Sequence, residues 1–143
     1  MDSPDPFEEL IALGTKARAK AYAPYSRFPV GAALRTASGC VYTGCNVENA
    51  SYGLSICAER VAVFKAVCEG EHDFEMLAVV SDSMASPCGA CRQVLAEFGL
   101  DTRVVIADLE AGRQVLTVGD LLPAAFTPAS LPQARLDDRQ DIR

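Results

Sequence analysis

The chain has no long apolar run and no excess of positive charge. No stretch approaches the roughly 18 consecutive apolar residues that a membrane-spanning helix requires. The 19 acidic residues outnumber the 13 lysines and arginines, which gives a formal net charge of −6. A broad basic face that would bind phosphate groups is therefore not expected. We expect neither a membrane nor a nucleic acid as a partner.

The sequence also lacks a secretory leader and a group of histidines. Residues 1–9 contain acidic residues and prolines, whereas a secretory signal needs positive charge followed by a long apolar stretch. We therefore expect a cytoplasmic protein, whose six cysteines are free thiols or metal ligands rather than disulfides. His72 is the only histidine and lies in a polar stretch, so a metal site would need other ligands.

The remaining pattern fits an α/β domain. A length of 143 residues suits a single domain, and half of the residues are hydrophobic. Short apolar runs at 77–80 and 104–107 predict strands buried on both faces, and a helix predicted between them, 88–98, makes a parallel crossover unit. The sequence patterns predict further helices at 5–21, 57–69 and 118–122, and further strands at 30–36, 41–47 and 114–117.

Together these elements predict a three-layer α/β/α fold with a mixed five-stranded sheet and helices on both faces. We expect one domain over residues 1–126. Residues 127–143 mix proline, glutamine, aspartate and arginine, which is typical of a loose C-terminal tail.

Two predicted helix starts carry cysteines that can bind a metal. Cys88 and Cys91 form a C-x-x-C pair, which places both sulfurs on one face of a helix. Cys57 and Glu59 begin the other buried helix, and the partial positive charge of a helix N-terminus favours thiolates. Three thiolates and a free carboxylate fit a catalytic zinc, because such a site keeps one position open for water.

Cysteine spacing alone leaves a structural zinc site open as an alternative. Such a site takes four protein ligands, and Cys40 or Cys45 could supply the fourth thiolate. The protein would then be a zinc-stabilised binding module without catalytic activity. The carboxylate of Glu59 beside the ligands favours catalysis instead, and Cys68 is interpreted as an ordinary free thiol.

The charge of the predicted site requires compensation. Zinc with three thiolates carries a formal charge of −1, yet a catalytic zinc must lower the pKa of its water to about 7. Some charge must therefore be withdrawn from the sulfurs. We predict that Arg60, three residues after Cys57, does this by hydrogen bonding, together with the two helix dipoles.

The motifs resemble those of the cytidine deaminase family, whose zinc sites include a three-cysteine form. Two segments resemble its metal site: Cys57-Ala-Glu-Arg60 and Ser86-Pro-Cys-Gly-Ala-Cys-Arg-Gln93. Three more resemble its first strand, ribose-binding strand end and C-terminal segment: Phe28-Pro-Val-Gly-Ala-Ala-Leu34, Asn46-Val-Glu-Asn49 and Leu121-Leu-Pro-Ala-Ala-Phe126. The similarity covers residues 7–126, and the chain length resembles the short, homotetrameric members.

This resemblance implies a cytidine deaminase-like fold, one zinc per subunit and a small nucleoside substrate, cytidine or 2′-deoxycytidine, in pyrimidine salvage. It implies that Glu59 is the proton shuttle. For the sugar, it implies that Asn46 and Glu48 bind the ribose 3′-hydroxyl and that Phe28 packs near base and sugar. For the base, it implies that the Ala58 amide binds the pyrimidine carbonyl and that the Ser86 carbonyl faces the departing amine. It also implies that Tyr52 and Phe126 reach neighbouring subunits.

Two neighbouring activities are alternatives to this assignment. A related deaminase could act on a cytosine-bearing antibiotic such as blasticidin S, but the pair Asn46 and Glu48 favours a nucleoside. A deaminase could instead edit cytosine within a nucleic acid. The acidic net charge and the absence of an obvious strand-binding stretch argue against that activity.

Overall fold

The computed structural model describes residues 4–131. In that part of the chain the order of the elements is α1 (Pro6–Arg18), β1 (Gly31–Thr36), β2 (Val41–Cys45), α2 (Ala58–Cys68), β3 (Phe74–Val80), α3 (Gly89–Ala96), β4 (Arg103–Ala107), β5 (Arg113–Thr117) and α4 (Val118–Leu121). Two single-turn 3-10 helices, Tyr52–Leu54 and Pro128–Ser130, complete it. The predicted elements are all present, with boundaries that differ by a few residues.

The strands form one mixed sheet in the order β2-β1-β3-β4-β5. Strands β3 and β4 are parallel and are connected through α3, whereas the other neighbouring strands pair antiparallel. The prediction of a mixed five-stranded sheet that contains a parallel crossover unit is confirmed. In this arrangement the chain leaves the C-terminal end of β3 and reaches α3 through residues 81–88.

Helices cover both faces of the sheet. On one face Leu10 and Ile11 of α1 pack against alternate strand residues such as Met76. On the other face, residues of α2, α3 and α4 pack against strand residues such as Leu77. Strands β3 and β4 are therefore buried on both sides, as their continuous apolar runs predict. This confirms the three-layer arrangement.

Helix α1 begins where the sequence predicts but ends early. Asp5 caps its N-terminus, because the Asp5 carboxylate accepts a hydrogen bond from the Phe7 amide at 2.9 Å. The predicted end at residue 21 is too late, since the helix stops at Arg18. Beyond it the chain turns outward so that Tyr22 forms an isolated bridge with Val47 beside β2. Long-range pairing thus overrides the local helical pattern.

The predicted tail is partly outside the described residues. Residues Pro128–Ser130 form a 3-10 turn in which the Thr127 amide donates to Ser130 Oγ at 3.1 Å. The start of the predicted tail is therefore ordered at 127–131, and residues 132–143 lie outside the described part of the chain. The division at residue 126 stays a prediction. Within 4–131, the helices are all too short or too polar to cross a membrane.

Helix α2 packs very closely on the edge strand β2, and a glycine makes this possible. A Cβ atom placed on Gly44 would lie 2.5 Å from the Ala58 carbonyl oxygen and 2.7 Å from the Ala62 amide nitrogen. These backbone atoms belong to the first turns of α2 and cannot move independently. Only a residue without a side chain therefore allows the N-terminus of α2 to reach its position.

We predict that Gly44→Ala lowers the free energy of unfolding by about 1–3 kcal/mol, the usual cost of overpacking a well-packed site. Thermal unfolding followed by circular dichroism measures the change. Gly53→Ala is the matched control, because a Cβ at Gly53 meets nothing within 4 Å. Equal effects of the two substitutions would contradict the close approach.

Candidate active site

Three sulfur atoms lie close together where α2 and α3 begin. Cys57 Sγ lies 3.7 Å from Cys88 Sγ, and Cys88 Sγ lies 3.5 Å from Cys91 Sγ. All three atoms lie within 4.8 Å of one another. A tetrahedral zinc with Zn–S bonds of about 2.3 Å holds its sulfurs about 3.8 Å apart. The spacing therefore fits a zinc ion seated among the three sulfurs.

The convergence follows from the starts of two helices. Cys57 is the N-cap residue of α2 and Cys88 is the N-cap residue of α3, both in extended backbone conformations. Neither side chain makes a capping hydrogen bond, so each sulfur remains available to a metal. Cys91 follows one turn into α3 and is fully buried. The helix N-termini add partial positive charge that stabilises thiolates.

The described residues do not add a fourth ligand to this group. The metal-binding group found within residues 4–131 consists of Cys57, Cys88 and Cys91. Cys40 lies exposed at the entry to β2, and Cys45 lies at its end. Both are outside the group, which favours a site with an open fourth position over a closed structural one.

Glu59 lies beside the sulfurs in the first turn of α2. The residue is only 4% exposed, and the pKa of its carboxyl is raised, first by burial and then by the negative charge of Cys57. A carboxyl in this position holds a proton more readily than one in water. That property suits a group that must accept a proton and then release it.

Arg60 contacts the sulfur cluster from the same helix turn. Its Nη2 atom donates to Cys57 Sγ at 3.6 Å. The pKa of the Cys57 thiol falls to about 5, first because Cys91 donates a hydrogen bond to it and then because of Arg60. The pKa of Cys91 is raised, because it holds the shared proton and is buried. Arg60 Nε is buried without a hydrogen-bond partner among the described residues.

Asn46 holds the loop that carries Phe28 in place through two hydrogen bonds of its side-chain amide. Asn46 Oδ1 accepts a hydrogen bond from the Val30 amide at 2.9 Å, and Asn46 Nδ2 donates to the Phe28 carbonyl at 2.8 Å. The sequence offered no sign of this pairing, because the partners lie 16 and 18 residues away. A contact with a sugar would use only the remaining N–H and lone pair of the Asn46 amide.

Glu48 holds the other end of the same loop through hydrogen bonds to its carboxylate. Its Oε1 atom accepts hydrogen bonds from the Tyr25 and Ser26 amides at 3.0 and 3.1 Å. The pKa of the carboxyl is lowered, first by the Ser26 side chain and next by the Ser26 amide. A cavity of about 350 Å³ opens here, lined by Tyr25, Ser26, Glu48, Tyr52 and Ser55.

The cavity contains residues that sequence reasoning missed. The Tyr25 and Tyr52 rings meet edge to face with their centroids 5.7 Å apart. Tyr52 thus lies beside the Glu48 of its own chain. The available signal was the position of Tyr25 and Ser26, three and two residues before Phe28 in a proline-containing loop.

The other predicted substrate residues lie around the sulfur cluster and on the C-terminal segment. Ala58 is fully buried as the first residue of α2. Ser86 is exposed and precedes the N-cap of α3 by two residues. Phe126 is 58% exposed beyond α4. That Phe126 and Tyr52 reach neighbouring subunits stays a prediction.

Comparison with known proteins identifies close relatives of this chain. The sequence model of the cytidine and deoxycytidylate deaminase zinc-binding region matches residues 5–108, which include the three cysteines and Glu59. The chain is 51% identical over 130 residues to a cytidine deaminase of Sporosarcina psychrophila, covering 89% of this chain and 96% of that protein. It is 54% identical over 121 residues to a cytidine deaminase of Halalkalibacterium halodurans, covering 82% and 92% respectively.

A solved structure is similar as well. The crystal structure of cytidine deaminase from Burkholderia pseudomallei has a TM-score of 0.82 and 50% sequence identity, covering 85% of this chain and 100% of that chain. Because the matched region is a zinc-binding one and contains all three grouped cysteines, zinc is the metal of this site.

We predict one zinc per chain in the parent protein and loss of bound zinc in Cys91→Ala, because two sulfurs cannot complete the site. Cys45→Ala is the matched control and should keep its zinc. Metal content per chain after gel filtration measures both. Loss of zinc from Cys45→Ala would instead indicate a closed, four-thiolate site.

We predict that Glu59→Gln stabilises the metal-free fold at pH values above the ordinary carboxyl range. The raised pKa means that the native state binds the Glu59 proton more tightly than the unfolded chain does. Its contribution to stability is therefore lost as the pH rises beyond the ordinary carboxyl range. Glutamine keeps the neutral form, so we expect a gain on the order of 1 kcal/mol at pH 8 that shrinks toward about pH 5, near the ordinary carboxyl range.

Thermal unfolding at both pH values measures this gain. Glu110→Gln, at an exposed carboxylate, is the control and should give no pH-dependent difference. A Glu59→Gln protein less stable than the parent at pH 8 would contradict the assigned effect of burial.

Proposed function

The chain belongs to the cytidine and deoxycytidylate deaminase family, and on that basis we propose that it deaminates cytidine and 2′-deoxycytidine, giving uridine or 2′-deoxyuridine and ammonia. The observation that carries the proposal is the group of three cysteine sulfurs with the buried carboxyl of Glu59 in the adjacent helix turn. A non-ligating glutamate beside such a metal site acts as general acid and base in zinc deaminases. The reaction is a hydrolysis of the C4–N bond, with water as the second substrate.

Cys57, Cys88 and Cys91 hold the metal, and Arg60 offsets the charge of the sulfurs. Bound zinc supplies Lewis-acid activation of the attacking water. Arg60 makes its contribution through Cys57 Sγ, at 3.6 Å. Its positive charge draws electron density from the thiolate, which keeps the three-sulfur set from donating too much charge.

Glu59 moves the protons. It accepts a proton from water and delivers one to N3 of the pyrimidine, so that C4 becomes electrophilic and a tetrahedral centre forms there. The hydroxyl now bonded to C4 gives its proton to Glu59, which transfers it to the amino group. The C4–N bond then breaks, ammonia leaves, and the C4 oxygen becomes the carbonyl of uridine. A carboxyl that serves as base and then as acid requires a pKa above its ordinary value, and burial supplies it.

We assign the base contacts to Ala58, Ser86 and Phe28. The Ala58 amide lies in the first helical turn, where backbone N–H groups lack intrahelical partners, and it would donate to the pyrimidine carbonyl. The Ser86 carbonyl would accept from the departing amine. Phe28, half-buried on its fastened loop, would pack against base and sugar.

We assign the ribose 3′-hydroxyl to Asn46 and Glu48. The loop hydrogen bonds occupy Glu48 Oε1, so Oε2 is the oxygen that would accept from the sugar. Asn46 has one N–H beyond the one it donates to Phe28. Both residues therefore serve the loop and the sugar at once.

We propose that the enzyme is a homotetramer, in which Phe126 and Tyr52 contribute to neighbouring sites. Exposed apolar side chains support an interface, since Tyr52 is 75% and Phe126 58% exposed. We place the enzyme in the cytoplasm, because thiol ligands and further free cysteines suit a reducing compartment.

Loss of ultraviolet absorbance as cytidine becomes uridine tests the proposed function. We expect zinc-loaded parent protein to convert cytidine, and Glu59→Gln to keep its zinc while kcat falls about 10²–10⁴-fold, the usual contribution of a general acid and base. Near-normal turnover by Glu59→Gln would refute the shuttle. Faster conversion of free cytosine than of cytidine would refute the ribose assignment.

A further inference from the structure

Arg92 joins two segments that are distant in the sequence. Its Nε atom donates to the Pro87 carbonyl and its Nη2 atom to Ser86 Oγ, both at 2.7 Å. Its Nη1 atom donates to the Leu121 carbonyl, also at 2.7 Å, across 29 residues. One guanidinium group thus binds the turn before Cys88 and the end of α4 together.

The next residue of α3 makes a parallel link. Gln93 Nε2 donates to the Phe126 carbonyl at 2.8 Å, across 33 residues. The C-terminal segment therefore contacts α3 at two points, Leu121 through Arg92 and Phe126 through Gln93. The same helix also carries Cys91, which directly precedes these two residues and belongs to the group of three sulfurs.

The acceptors that bind Arg92 receive no other hydrogen bond within residues 4–131. The last carbonyls of a helix have no intrahelical donor, and Leu121 ends α4. The Pro87 carbonyl lies before the N-cap of α3. All of the recorded partners of Arg92 are uncharged, so the side chain contributes a planar fork of donors in fixed directions. A lysine ammonium has no such fork and cannot reach three divergent acceptors in this way.

We propose that Arg92 and Gln93 are positioning residues, which hold the metal-site turn 86–88 and the C-terminal segment 121–126 in register on one helix. The inference deepens the proposed function and rests on it for its catalytic consequence. Arg92 fixes the turn that carries Cys88 and the Ser86 carbonyl. Gln93 fixes the segment that carries the Phe126 ring. One helix therefore couples the metal-site turn of this chain to the segment whose Phe126 ring is assigned to a neighbouring site.

The two links have separable effects on catalysis. Arg92 donates to Ser86 Oγ and to the Pro87 carbonyl, and so holds in place the turn whose Ser86 carbonyl is assigned to the departing amine. Loss of Arg92 should therefore lower kcat. Gln93 holds the segment of Phe126, whose ring is assigned to the substrate of a neighbouring subunit, so its loss should raise KM. A purely structural role would lower stability without dividing the two constants in this way.

Arg92→Lys and Gln93→Ala test the proposal in the zinc-loaded enzyme. We expect Arg92→Lys to keep one zinc per chain while kcat/KM for cytidine falls about 10–100-fold, as for other groups that orient a metal site. We expect Gln93→Ala to raise KM several-fold with kcat near that of the parent. Millimolar guanidinium should restore part of the activity of Arg92→Ala, because it replaces the missing donors.

Hydrogen–deuterium exchange gives a readout that does not depend on activity. Peptides covering residues 121–126 should take up deuterium faster in both variants than in the parent. Peptides covering 84–88 should do so in Arg92→Lys alone. The matched controls are Arg103→Lys, which removes an exposed guanidinium paired with Glu75, and Gln114→Ala on exposed β5. Neither should change exchange at these segments or the kinetic constants.

The outcomes separate this proposal from the proposed function. Unchanged deuterium exchange at 121–126 in both variants would show that Arg92 and Gln93 do not hold this segment against α3. Faster exchange with kcat and KM within about twofold of the parent values would overturn the positioning role. If the parent protein does not convert cytidine, the proposed function fails. The exchange data still decide whether Arg92 and Gln93 hold the segment 121–126 against α3.

Discussion

The structure depends on the meeting of two helix N-termini over one face of the sheet. Helices α2 and α3 each place a cysteine at the N-cap position, and together with Cys91 these sulfurs lie within 4.8 Å of one another. The rest of the fold keeps the two helices in place. The parallel pair β3 and β4 fixes the path into α3, and the bare backbone of Gly44 lets α2 lie close against β2.

Local signals in the sequence predicted the elements and the metal ligands well. The pairs Cys88 and Cys91, and Cys57 and Glu59, lie within single helix turns, so their spacing alone defines their geometry. Asp5 marked the start of α1 for the same reason, because an N-cap bond spans two residues. Continuous apolar runs identified the central strands, since burial on both faces leaves no polar alternation.

Interactions between distant segments could not be predicted in this way. The two hydrogen bonds of Asn46, the pairing of Glu48 with Tyr25, and the fork of Arg92 each join residues far apart in sequence. Nothing in a single sequence specifies which carbonyl a side chain will meet. The early end of α1 has the same origin, because the bridge of Tyr22 with Val47 outweighs helical periodicity.

The use of Cys57 as an N-cap has a thermodynamic consequence. Serine, threonine, asparagine or aspartate at this position would satisfy an amide of the first turn and stabilise a helix by about 1 kcal/mol, whereas the Cys57 side chain makes no such bond. The first-turn amides of α2 therefore lack the acceptor that an N-cap side chain usually supplies. In the proposed substrate complex the pyrimidine carbonyl accepts a hydrogen bond from the Ala58 amide. The nucleoside would then supply the missing capping group, and bound substrate should make the protein more resistant to unfolding.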